Sequence, residues 1–104
     1  MACIATKNPM SSTAHNNLAF ALYRRGEFRS AVQHWRRAVK ISGAKRADPV
    51  AGLALGLDAL GYRERARQAL AKAIELDSAY GTQESLVNVR FWEPGLARNL
   101  MAIK

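Results

Sequence analysis

The chain of 104 residues has one cysteine, three prolines and only eight acidic residues. Each shortage excludes something. A lone Cys3 cannot close a disulfide within the chain, which fits a reducing compartment. With proline scarce, Ala and Leu plentiful, and Val, Ile and Thr scattered, the composition favours helix over sheet. The opening MACIATKNPMSS has no apolar run long enough for a signal peptide, and no later stretch is long enough to span a membrane. Residue 2 is Ala, so the glycine needed for N-myristoylation is absent. These shortages predict a cytoplasmic protein. The Met1 start and the capping pattern read as those of a complete chain. What is present is apolar enough to fold: hydrophobic residues make up 49%, which predicts a packed core in one small domain.

Acid is scarce beside base. Sixteen Lys and Arg face eight Asp and Glu, for a formal net charge of +8. Residues 1–52 hold nine basic and two acidic residues, whereas residues 53–104 hold seven and six. The positive field therefore belongs to the first half, where it speeds encounter with anionic partners of any kind. Its densest part is LYRRGEFRSAVQHWRRAVKI, residues 22–41, in which Glu27 is the one acid. On a helical wheel for residues 28–42, Arg29, Gln33, Arg36, Arg37 and Lys40 share an arc of roughly 100°. Val32, Trp35, Ala38 and Val39 lie opposite. Two readings stay open for this basic face. It is a solvated surface, or it is a contact site for an acidic protein patch, nucleic acid or lipid headgroups.

A repeat runs along the chain. Leu18 and Leu53, Ala19 and Ala54, Leu22 and Leu57, Gly26 and Gly61, Ala31 and Ala66, and Ala38 and Ala73 are all pairs 35 positions apart. The segments predict two helical hairpins. A helix over about 12–25, with Ser11, Ser12 and Thr13 available as caps, stops at Gly26. A second covers about 28–42. After the linker SGAKRA, Asp48 and Pro49 read as N-cap and first-turn proline of a third helix ending at Gly61. A fourth covers about 63–76. A fifth, about 81–92 with Thr82 as cap, is broken by Trp92-Glu93-Pro94. Pro94 opens a short last helix ending near Ile103.

NLAFALYRRGEFRSAVQHWRRAV resembles the tetratricopeptide repeat, a helix-turn-helix unit of about 34 residues. Its pattern of small and large slots falls on His15, Leu18, Ala19, Leu22, Ala31, Trp35 and Gly43. In a second unit it falls on Val50, Leu53, Ala54, Leu57, Ala66, Leu70 and Ser78. The pattern's signature Trp, both Tyr and both Pro are missing. The resemblance implies an all-α fold, a short right-handed superhelix of antiparallel helical hairpins with about six helices. It divides the chain into a flexible segment 1–10 and one domain 11–104. Repeat one covers 12–43 and repeat two 47–78. A partial third repeat and cap cover 81–104, with Val87 and Phe91 in large slots. Ala19, Ala31 and Ala38 would sit where backbones pass closely, and Leu18, Leu22, Phe28 and Trp35 would fill the space between helices.

Catalytic chemistry is not predicted. His15 and His34 have no Cys, Asp or Glu at ligand spacing, and Cys3 has no recognisable nucleophile pattern. GLALG, around Gly52 and Gly56, lies within a helix and lacks the Lys-Ser/Thr of a phosphate loop. Glu64, Glu75 and Asp77 read as surface ion pairs with Arg65, Arg67 and Lys72. No cofactor and no metal is expected. What remains is binding to another protein. The resemblance implies a concave groove presenting Asn16, Phe20, Tyr23, Arg24, Ala51, Leu55 and Asp58, with Val89 and Trp92 added from the third unit. Exposed, Phe20, Tyr23 and Leu55 would form an apolar patch for a peptide or helix. Otherwise the C-terminal helix folds back over them, or a second copy buries them. The family's carboxylate clamp is absent, because its positions read Asn16, Phe20, Gly52, Thr82 and Leu86. The expected function is a non-catalytic adaptor or assembly factor, with Arg24 and the basic face of Arg29, Arg36, Arg37 and Lys40 steering an acidic partner. The alternatives are nucleic-acid binding through that face, and self-association.

Overall fold

The computed structural model describes residues 10–103. Cys3 and all of the segment 1–10 except Met10 lie outside them. The described residues form six α-helices and one 3-10 turn, with no strand. They are α1 (Ser12–Arg24), α2 (Phe28–Ile41), α3 (Ala47–Ala59), α4 (Arg63–Leu76), the 3-10 turn Ser78–Gly81, α5 (Gln83–Asn88) and α6 (Pro94–Met101). The predicted all-α hairpin array is the observed one. The first four helices lie where hydrophobic spacing and turn glycines placed them.

The repeat shows most plainly in the turns. After α1, Glu27 N–H donates to Leu22 O at 2.9 Å and Gly26 N–H to Tyr23 O at 3.0 Å. After α3, Tyr62 N–H donates to Leu57 O at 2.9 Å and Gly61 N–H to Asp58 O at 3.0 Å. Gly26 and Gly61 have φ of 81° and 91°, a region that a Cβ makes costly. The same turn therefore closes both hairpins. At the other end of α1, the Ser11 hydroxyl accepts from Ala14 N–H at 3.1 Å, as a cap should.

Each hairpin packs its two helices together, and α3 lies against α2 to join the hairpins. Ala19, Ala31, Ala38, Ala54 and Ala66 have no exposed surface, so backbones approach closely there. Trp35 is the largest wholly buried side chain. It seats on the face of α3 formed by Gly52 and Gly56. A Cβ at Gly52 would overlap the Trp35 indole, and one at Gly56 would lie 2.6 Å from Val32 Cγ2. GLALG is thus a smooth strip of helix that receives a tryptophan. Leu22 and Phe28 are half-buried. Leu18 departs from expectation and is exposed, because α1 turns the stripe Ser12, His15, Asn16 and Ala19 inward instead.

The third unit differs more. A helix over 81–92 does not form. Thr82 does cap α5, its hydroxyl accepting from Ser85 N–H at 3.2 Å. The helix then ends after six residues, when Val89 and Arg90 N–H both turn to Ser85 O. Phe91 follows with φ of 60°, a left-handed conformation that costs a non-glycine residue about 1–2 kcal/mol. This reversal swings Trp92 into the core and leaves Phe91 85% exposed, so Leu86 takes the buried position expected for Phe91. Pro94 opens α6 as predicted, and Leu96, Leu100 and Ile103 bury its inner face.

The Trp35–Gly52 contact has a direct test. Gly52→Ala should destabilise the fold by about 3 kcal/mol through overpacking, despite the better helix propensity of alanine. Urea unfolding followed by circular dichroism would show it as a lower midpoint with an unchanged slope.

Candidate interaction site

Asp48 was expected to cap α3. The helix instead begins at Ala47, with Arg46 in the cap position, and the Asp48 side chain is free for other partners. Its Oδ2 accepts from Asn16 Nδ2 at 2.6 Å. Its Oδ1 accepts from Tyr80 O–H and from Trp92 Nε1–H, each at 2.8 Å. Asn16 Oδ1 in turn accepts from Trp35 Nε1–H at 2.9 Å. Five side chains from α1, α2, α3, the 3-10 turn and the loop before α6 therefore share one polar network. Burial pushes the Tyr80 phenol well above its ordinary pKa, and the neighbouring Asp48 charge pushes it further, so it stays a donor. No buried side-chain polar atom among the described residues lacks a partner.

This network decides the fate of the predicted groove. Phe20 is held edge-on between Trp35 and Trp92, at centroid distances of 5.1 and 5.3 Å. Tyr23 leans on Phe28 and Trp35. Asn16 is buried in the network, and Ala51 and Leu55 are at most 1% exposed. The open apolar patch expected of Phe20, Tyr23 and Leu55 is therefore closed. Trp92 packs against Phe20 there, delivered by the loop before α6 rather than by that helix itself. Arg24 stays exposed and pairs with Glu93 at 3.5 Å, while Asp58 is half-buried.

What stays open is a cleft of about 380 Å³ beside Trp92. Phe20, Phe91, Trp92 and Leu96 line it together with Asn17, Arg24, Asp48, Arg90 and Glu93. On α2, Arg29, Arg36, Arg37 and Lys40 are all exposed, and none forms an ion pair among the described residues. Several acids are engaged elsewhere. Arg67 pairs with Glu64 as expected, but Asp77 pairs with Arg90 at 2.6 Å rather than with its helix neighbours. That bond, with the Ala79 N–H, holds the Asp77 carboxyl below its usual range.

His15 sits buried in its predicted slot and His34 on the helix edge, but spacing did not show that they meet. Their Nδ1 atoms are 2.9 Å apart and the rings stack at 5.1 Å. Burial lowers the His15 pKa, and the nearby His34 and Arg37 lower it further. The described residues contain no group of three or more potential metal ligands.

The small and large slots, the repeated turn and the two stacked hairpins agree with the comparison to known families. The tetratricopeptide repeat family model matches residues 12–44. The chain contains a tetratricopeptide repeat. Its matched repeat is the α1–α2 hairpin, and the α3–α4 hairpin repeats the same turn. No curated protein matches the chain. Tetratricopeptide repeats generally mediate protein–protein interaction. No helix among the described residues is long and apolar enough to cross a membrane.

Two measurements probe the site. Asp48→Ala would strand the donors of Asn16, Tyr80 and Trp92, and should cost roughly 3–4 kcal/mol. Tryptophan emission should shift to the red as Trp92 loosens, before global unfolding in urea. The His15 pKa is lowered in the folded state, so the unfolded chain binds more protons below the ordinary histidine value of 6.5. Stability should therefore fall as pH drops from about 7 towards 5, an effect that His15→Gln should flatten. Urea midpoints across that range, for both proteins, decide it.

Proposed function

We propose that this repeat protein is a non-catalytic adaptor or assembly factor that holds a peptide or helix of an acidic partner protein. The observation that carries the reading is the row Arg29, Arg36, Arg37 and Lys40 on α2, exposed and without carboxylate partners among the described residues. Over that row a helix rises about 16 Å, enough to face three turns of a partner helix. The predicted groove contributes only what remains open at the cleft, since Asn16, Ala51 and Leu55 are buried. Nothing in the site favours catalysis. The two histidines face each other, and the Asp48 carboxylate already accepts three hydrogen bonds.

The same unpaired cations support a second reading, contact with nucleic-acid phosphates. Phosphate binding would weaken steeply with salt. A pull-down from source lysate, with and without nuclease, separates the two. Wild type should capture a protein whether or not nuclease is added, and Arg36→Glu/Arg37→Glu should lose most of it. Capture that vanishes with nuclease would transfer the α2 face to nucleic acid.

A further inference from the structure

The anomaly at the cleft is Phe91. Its side chain is 85% exposed, and its backbone holds a left-handed conformation, φ 60°. The same left-handed turn that brings Trp92 into the core leaves this aromatic ring in water. It borders a cleft of about 380 Å³ that Phe20, Trp92 and Leu96 line together with the charged Arg24, Asp48, Arg90 and Glu93. That volume is several times what one phenyl ring needs. A knob and a hole thus stand side by side on one surface. Phe91 cannot turn into its own hole without withdrawing Trp92, because the two are adjacent in sequence and Trp92 is fixed to Asp48 at 2.8 Å.

The charges at the rim say what fits. Arg24 and Glu93 lie 3.5 Å apart with side chains 53% and 56% exposed. An acidic segment would meet Glu93 as well as Arg24. A surface carrying a knob, a hole and balanced charges, Arg24 and Arg90 against Glu93 and Asp48, is self-complementary under a two-fold rotation. That rotation sets Phe91 of each copy into the cleft of the other, and Arg24 of each beside Glu93 of the other. Elsewhere the net charge of +8 repels a second copy, so the cleft is where two copies can meet.

We infer that two copies of this chain associate as a symmetric dimer by exchanging Phe91 between clefts. The dimer leaves the α2 basic faces free, and presents two of them to an acidic partner. It does not depend on the adaptor reading.

Sedimentation equilibrium of the full chain, in reductant so that Cys3 cannot cross-link copies, tests this from micromolar to near-millimolar concentration. Wild type should shift from monomer to dimer. Phe91→Ser should weaken association by at least about 100-fold, since two apolar side chains leave a buried site. Its circular dichroism and melting should stay native, because Phe91 packs on little within its own chain. Arg24→Glu should weaken the dimer, and Arg24→Glu/Glu93→Arg should restore it. A wild type that stays monomeric throughout overturns the proposal, as does a dimer that survives Phe91→Ser. A monomer whose nuclease-resistant capture of a protein depends on Phe91 also overturns it, and gives the cleft to a different partner while the adaptor reading stands.

Discussion

The Asp48 carboxylate is the tie on which the arrangement of the helices depends. It meets no cation among the described residues, only three neutral donors from three segments of the chain. A partly buried charge taken from water needs such donors, and the donors, once buried, need it. Each contact therefore fixes the others. Asn16 aims at Asp48 with one end of its amide and holds Trp35 with the other. Trp92 can enter the core because its indole N–H has somewhere to go. Without that acceptor, burying the ring would leave a polar group unsatisfied. The short α5 and the strained Phe91 follow from bringing Trp92 to this point.

The network leans on a second constraint, one of volume. Trp35 reaches Asn16 only because α3 offers no side chain at Gly52 and little bulk at Gly56. Two helix-weakening glycines are therefore stabilising in place. Their propensity cost is about 1 kcal/mol each, smaller than the loss from displacing a wholly buried tryptophan. Packing and hydrogen bonding are coupled through one ring: its face rests on the glycines and its N–H on Asn16.

This explains what could be read from the sequence and what could not. The hairpins were legible because they rest on local signals. Apolar spacing set the helices, and Gly26 and Gly61 marked identical turns. Small slots such as Ala19 and Ala66 were legible for the same reason. The closed groove was not, since it depends on pairings of residues 32 and 44 positions apart. Asp48 before Pro49 looks like a cap by every local rule, and only the fold shows Asn16, Tyr80 and Trp92 around it. Position within a repeat put Leu55 among the groove residues, but could not show that it is buried or that Trp92 would pack against Phe20. The histidine pair escaped for a similar reason, as residues 15 and 34 meet only when the hairpin closes.

The basic face can be understood as a consequence of where the acids are used. Residues 1–52 contain just two, Glu27 and Asp48. Glu27 pairs with Arg25 at 3.2 Å, and Asp48 is committed to neutral donors. Nothing acidic remains in the first half to neutralise α2. In the second half Glu64 pairs with Arg67 and Asp77 with Arg90, while Glu93 crosses to Arg24. Screening in physiological salt confines a charge's influence to about 8 Å, so carboxylates further away than this do little to quench the α2 row. The uncompensated field follows from the same use of Asp48 that builds the core. One more acid on that face of α2 would only reduce the field, because four exposed cations share it.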